Sequence, residues 1–285
     1  MTQQNVGILN PGDMGISVAA TLKNSGHAVY WASEGRSSQT RARAEQHGLI
    51  DADSLTKICE TCAVIVSVVP PDSAETLAAQ VISHGFKGLF IDANAISPQK
   101  AQQIGEVMNA AGASFVDGGI IGGPAWKPNT TWLYLSGERA DQAADYFAAG
   151  PLETRVIGDS IGKASALKIC FAAYTKGTTA LLSAVLAAAE SLDVRAELEG
   201  QWSQNGSNFA EQSANSVRNV TAKAWRFVGE MDEIAATFAD AGLPDEFHRA
   251  AADIYRRMAD FKNAPETPSL DAVLAALLNT EKHPN

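Results

Sequence analysis

Residues Asn10-Pro11-Gly12-Asp13-Met14-Gly15 follow a short apolar run, Val6-Gly7-Ile8-Leu9, and lead straight into an amphipathic stretch from Ile16 to Asn24. A strand that turns this tightly into a helix leaves few architectures open. The order is that of a G-x-G-x-x-G turn with asparagine at the first glycine position. That position calls for a tight turn, often at positive φ, and asparagine tolerates it better than most side chains. Gly12 allows a pyrophosphate to approach the backbone, and Gly15 lets the helix pack closely on the strand. The helix N-terminus then offers N–H groups and partial positive charge to phosphates. Asp13 adds a negative charge nearby and must point away. Asn10, Pro11, Gly12, Asp13, Met14 and Gly15 are therefore candidate dinucleotide contacts. The alternative is a tight turn with no ligand.

The pattern continues as alternating strands and helices. Strands are expected at His27–Ala32, Ala63–Val69, Gly88–Asn94, Ser114–Asp117, Trp132–Ser136 and Thr154–Ile157, and helices at Thr40–His47, Ser73–Ser83 and Ser97–Ala111. Such alternation specifies βαβ units and a mostly parallel sheet covered on both faces. After Gly158-Asp159-Ser160-Ile161-Gly162 the pattern becomes helical. Lys163–Leu192 reads as one helix of roughly 45 Å, followed by helices at Ala214–Asp240, Pro244–Met258 and Pro268–Leu278. The expected fold class is an α/β Rossmann-type doubly wound sheet over residues 1–160, then an all-α domain over 161–285 for substrate binding and dimerisation. The last residues, Glu281–Asn285, read as a frayed tail.

With 285 residues, 46% apolar and 19% charged, two cored domains fit, and disorder is excluded as the main description. A formal charge of −10 leaves no basic surplus for nucleic acid or an anionic membrane. No uninterrupted apolar run approaches the roughly 18 residues of a membrane span. The first residues carry no secretion signal, and three cysteines are too few for a disulfide framework, so a cytoplasmic location is expected.

Cofactor choice turns on the end of the second strand. An NAD site places an acid there for the ribose 2′-hydroxyl. Here the segment is Ala32-Ser33-Glu34-Gly35-Arg36-Ser37-Ser38. Arg36 can hold a 2′-phosphate bidentately and Ser37 can donate to it, which favours NADP. Glu34 is the acid that would favour NAD. Asn94 closes a strand at its carboxyl end, where open sheets bind ligands. Asp117-Gly118-Gly119-Ile120-Ile121-Gly122-Gly123 reads as a glycine-rich loop whose N–H groups suit the carboxylate or carbonyl of a small-molecule substrate. Lys168 lies among apolar neighbours on the long helix, as a tuned acid/base or as a lysine snorkelling to water. Lys176, two turns on, is a further candidate. Cys59-Glu60-Thr61-Cys62 lacks a second pair and the five histidines show no ligand spacing, so no metal is expected. Glu230, Asp232 and Glu233 read as a solvated helix face.

Together these residues resemble the β-hydroxyacid dehydrogenase superfamily, which includes 6-phosphogluconate and 3-hydroxyisobutyrate dehydrogenases. The nucleotide fingerprint matches Val6–Gly15, and the strand-and-proline segment beside the cofactor matches Val66–Pro70, bringing in Val69 and Pro70. The substrate motif aligns with Asp117–Gly123, implying substrate contacts at Gly119, Ile121, Gly122 and Gly123. The catalytic-helix motif matches Gly162 and Lys168, implying that Lys168 is the acid/base. The family's loop serine is replaced by Ile121, and its two asparagines after the lysine by Phe171 and Ala172, so an apolar surface replaces polar contacts. The resemblance also brings in Lys176 and Asp232, and is strongest to a phosphogluconate-dehydrogenase-like branch with its own C-terminal domain. It implies a homodimer through the helical domain. The expected activity is an NADP(H)-dependent oxidoreductase acting on a small hydroxy acid or carbonyl. The alternatives are an imine reductase of the same superfamily and a non-catalytic NADP(H)-binding sensor.

Overall fold

The structure is a computed structural model, and it describes residues 3–279. The expected frayed tail, Glu281–Asn285, lies outside the described residues. The chain divides into two compact units between Ile169 and Cys170.

The first unit carries an eight-stranded sheet in the order β3-β2-β1-β4-β5-β6-β7-β8. Its strands are β1 (Asn5–Leu9), β2 (Ala28–Trp31), β3 (Ile50–Asp51), β4 (Val64–Ser67), β5 (Leu89–Asp92), β6 (Ser114–Gly122), β7 (Thr131–Ser136) and β8 (Leu152–Val156). The helices between them are α1 (Asp13–Asn24), α2 (Ser38–Gln46), α3 (Leu55–Thr61), α4 (Ala74–Ser83), α5 (Pro98–Ala110) and α6 (Ala140–Asp145). All neighbours are parallel except β6 and β7. This is the doubly wound order with two reversed strands added.

Period-two alternation explains why the strands are apolar throughout. Val64 and Val66, Leu89 and Ile91, and Val116 join one core with Ile16, Val18 and Leu22 of α1. The intervening Ile65, Phe90 and Phe115 join the opposite core with Ile58, Val81, Ile104 and Met108. Both faces are covered, as a parallel sheet requires. The expected strands and helices of this unit are present, and α3, α6 and β3 are additional. Helix α3 packs so closely over β1 that a Cβ at Gly7 would lie 2.5 Å from Ile58.

One expectation is corrected. Gly118–Gly122 form no loop: they continue β6, pairing antiparallel with β7 from Gly118 opposite Leu135 to Gly122 opposite Thr131. Backbone pairing overrides the low strand propensity of glycine here. Strand β5 pairs with β6 only as far as Asp92 opposite Asp117, so beyond Asp117 that edge of β6 has left the parallel ladder.

Helix α7 (Lys163–Ser191) contributes its first turns to the first unit and the remainder to the second. Its beginning is fixed by Asp117, which is 1% exposed. The carboxylate accepts from Ser136 Oγ at 2.9 Å, Gly162 N at 2.9 Å, Ser165 N at 3.1 Å and Ser165 Oγ at 2.6 Å. A negative charge at a helix N-terminus is favoured by the helix dipole. Gly162 has φ of +100°, which accounts for glycine before the helix. These contacts tie the start of α7 to the sheet, so the compact division falls after the 160/161 position expected from pattern alone. Among the described residues α7 is the one helix long and apolar enough to cross a membrane by length and composition.

The second unit contains α8 (Arg195–Trp202), α9 (Phe209–Asn219), α10 (Ala224–Asp240), α11 (Glu246–Arg257) and α12 (Leu270–Leu278). The helix expected over Ala214–Asp240 is broken into α9 and α10 by a 3-10 turn at Thr221–Lys223. Thr221 Oγ1 donates to the Arg218 carbonyl at 2.7 Å, a local bond that competes with helix propagation. Within the unit, Tyr255 is fully buried and stacks edge-on against Phe227 at 5.2 Å.

Asp117→Ala strands several buried donors and is expected to cost about 3 kcal/mol or more. The check is the urea midpoint, which should fall clearly. A midpoint equal to wild type would show that α7 is held by packing alone.

Candidate functional site

The turn after β1 has the expected geometry. Asn10 has φ of +71°. Its Nδ2 donates to the Val68 carbonyl at 3.2 Å, tying the turn to the end of β4, and Gly12 N donates back to the Asn10 carbonyl at 2.8 Å. A Cβ at Gly15 would lie 2.2 Å from the Asn10 carbonyl oxygen, so only glycine fits. Gly12 differs: its φ is −69° and a Cβ there would meet nothing closer than 3.6 Å. Nothing within the fold requires glycine at 12. No side chain caps the first turn of α1. Met14 is half-buried behind this turn.

A cleft of about 530 Å³ opens at the carboxyl ends of these strands, lined by Asn10, Arg36, Val69, Pro70, Leu77 and Gln80 among others. A smaller one of about 170 Å³ shares Asn10, Arg36, Leu77 and Gln80 and adds Ala32 and Glu34. The structure thus brings Asn10, Arg36, Val69 and Pro70 to one cleft. The α4 side chains Thr76, Leu77 and Gln80 were missed by sequence reasoning. Their segment was read as a helix, and only the strand order places its face beside β1. Arg41 braces the β2–α2 segment, its Nη2 donating to the Ser33 carbonyl at 2.6 Å. Ser37 caps α2, its Oγ accepting from Thr40 N at 3.2 Å.

Asn94, 2% exposed, acts as a clamp. Its Oδ1 accepts from Val69 N at 2.6 Å, and its Nδ2 donates to Ser67 Oγ at 3.1 Å and to Asp92 Oδ2 at 3.0 Å. The side chain therefore holds the rim of the cleft through Val69. Asp92 also accepts from Asn94 N at 2.9 Å. Burial pushes the Asp92 carboxyl up to about 7. The backbone hydrogen bond from Asn94 opposes this, and the charge of Asp117 adds to it.

On the neighbouring strand, Gly119 receives α7 at close quarters. A Cβ there would lie 2.6 Å from the Ala164 carbonyl oxygen and 3.0 Å from Lys168 Cβ. Lys168 is thereby seated, half-buried, over the part of β6 beyond Asp117. Ile121 is buried, whereas Gly122 and Gly123 are exposed. The clamp of Asp117, Ser136 and Ser165 that seats this helix was also missed, because it joins residues far apart in sequence.

The second unit holds Phe171, Ala172, Lys176 and Asp232. Phe171 and Asp232 are exposed and Ala172 is buried. Lys176 forms an ion pair with Glu230, and both side chains are mostly buried. Its Nζ lies 4.7 Å from the centre of the Phe227 ring. Glu230 is thus not part of a solvated face, because Lys176 draws it inward. Cys59 and Cys62 are pushed up to about 11 and about 12, chiefly by burial, so both stay protonated at neutral pH.

Comparison with known proteins agrees with this geometry. Residues 5–146 match the NAD-binding domain of 6-phosphogluconate dehydrogenase, and residues 189–258 match a domain of unknown function, DUF1932. Together the two matches support the β-hydroxyacid dehydrogenase-like superfamily with a C-terminal domain. An uncharacterized 28.5 kDa protein of Methanothermus fervidus is 28% identical over 194 residues, covering 68% of this chain and 74% of that protein. Among solved structures, a conserved protein of unknown function, reported to be structurally similar to 3-hydroxyacid dehydrogenases, is 27% identical. It covers 90% of this chain and 97% of its own, with a TM-score of 0.67. The 3-hydroxyisobutyrate dehydrogenase of Mycobacterium tuberculosis, solved with L-serine, is 20% identical over 97% of this chain and 100% of its own. Its TM-score of 0.70 shows a shared fold.

The pH dependence of stability tests Asp92. The folded chain holds this proton up to about pH 7, whereas the unfolded chain releases it near 3.8. The folded state binds more protons in that window, so this group makes stability fall as pH rises through it. Asp92→Asn should flatten the slope of urea midpoint against pH over the same range. An unaltered slope would mean that Asp92 ionises normally.

Proposed function

We propose that this superfamily member is an NADP(H)-dependent oxidoreductase that interconverts a small hydroxy acid and its carbonyl partner, with Lys168 as acid/base. The observation that carries the reading is the cleft beside the Asn10–Gly15 turn, with Arg36 on its wall. The residues fit a dinucleotide. Gly12 has no reason within the fold to lack a side chain, and close approach of a ligand supplies one. The uncapped first turn of α1 leaves N–H groups for an anion. Arg36, with Ser37 at the start of α2, suits a 2′-phosphate. Glu34, lining the smaller pocket, is the group that would favour NAD instead.

A nicotinamide dinucleotide held there supplies hydride exchange with a substrate carbon. The chain's own residues manage the proton and the orientation. In reduction Lys168 Nζ gives a proton to the substrate oxygen, and in oxidation it takes one back. The edge of β6 beyond Asp117, with exposed Gly122 and Gly123, orients the substrate's carboxylate or carbonyl. Buried Ile121 gives this edge less polar character than a serine would, which limits how acidic a substrate it suits. The reading includes a cytoplasmic location, supported by three free cysteines, and a homodimer through the helical unit, supported by exposed Leu181, Leu192 and Trp225.

Lys168→Ala should lower kcat roughly 100-fold while leaving NADPH affinity within about twofold. An unchanged kcat would remove Lys168 from the reaction, and turnover of cyclic imines but no hydroxy acid would change the substrate class. Arg36→Ala should weaken NADPH roughly tenfold more than NADH, measured by calorimetry. Equal losses would exclude a 2′-phosphate contact.

A further inference from the structure

The phosphate-binding turn contains an acid, and the structure shows how its charge is met. Asp13 is the first residue of α1, and its carboxylate is 76% exposed at the uncapped end of that helix. A carboxylate there favours the helix through the dipole but opposes any incoming anion. Arg43 crosses from α2 to meet it. Its Nη2 donates to Asp13 Oδ1 at 2.6 Å, and its Nη1 donates to the Pro11 carbonyl at 3.4 Å. The Arg43 side chain is 22% exposed, so it is held against the turn rather than free in solvent. Pro11 and Asp13 flank Gly12, so both contacts fall on the segment meant to receive phosphate.

We propose that Arg43 is a dinucleotide-binding determinant that works by cancelling the charge of Asp13. The proposal rests on the nucleotide reading above and assigns a residue outside the glycine turn to that site. Helix α2 then serves both ends of the cofactor. Its beginning carries Ser37 next to Arg36, and its last turn carries Arg43. The two arginines have separable effects, because the pyrophosphate is common to NADPH and NADH whereas the 2′-phosphate is not. One uncompensated charge at a solvent-facing phosphate site changes affinity by a factor of roughly three to fifty. The effect shrinks as salt rises.

The test is calorimetry of the full chain with NADPH and NADH at low and moderate salt. Arg43→Ala should weaken both nucleotides about equally, roughly tenfold, with the loss diminishing in salt. Arg43→Lys, which keeps the charge, should stay close to wild type and controls for lost packing. Asp13→Asn should bind at least as tightly as wild type. The double variant Asp13→Asn with Arg43→Ala should return to within about threefold of wild type. An Arg43→Ala variant of wild-type affinity would overturn the proposal. So would a double variant as weak as Arg43→Ala, since Arg43 would then act without reference to Asp13. A wild-type chain that gives no heat with either nucleotide would overturn the underlying reading, and this proposal with it.

Discussion

A single buried carboxylate, Asp117, organises the junction of β6, β7 and the start of α7. It sits where β6 leaves the parallel ladder, and it accepts hydrogen bonds from the first turn of α7 and from Ser136 on β7. Placing a charge in the interior is costly unless its lone pairs are satisfied. Here four donors satisfy it, and the helix dipole adds to them. The arrangement determines where the helix starts, and the start determines that Lys168 stands over Gly119. Removing either the acid or the small residue would leave the lysine's position undefined.

The cofactor side is organised by the same adjacency of strands. Asp92 and Asp117 face each other in register on β5 and β6. Asp92 engages Asn94, and Asn94 holds the amide of Val69 at the edge of the cleft. One acid therefore supports the rim of the cleft while its neighbour supports the start of α7. Burial raises the proton affinity of Asp92, and the nearby charge of Asp117 adds to it.

Much of this was legible in the sequence, for identifiable reasons. The β-branched runs bounded by glycine specified the parallel strands, because strands buried on both faces leave no room for polar alternation. The Asn10 turn was legible because few residues accept positive φ. What escaped was non-local or marginal. The glycines after Asp117 resemble a loop by composition, and only the partner strand β7 makes them a strand. Helix α3 is short and largely polar along its length. The break at Thr221 depends on one side-chain bond to a carbonyl. The clamp from Asp117 to Ser165 and the pairing of Arg43 with Asp13 span long stretches of chain, and local pattern carries no trace of such partners. Lys176 looked available for chemistry from spacing, but its pairing with Glu230 required knowing how α7 and α10 meet.

The two glycines of the nucleotide turn answer to different pressures. At position 15 the Asn10 carbonyl fills the volume any side chain would need, so a randomised library screened only for correct assembly should recover glycine alone. At position 12 the surroundings are open, and the same screen should accept small residues freely. Relatives that have abandoned the ligand would then drift at the second position while staying frozen at the first, leaving a molecular fossil of lost binding inside an intact scaffold.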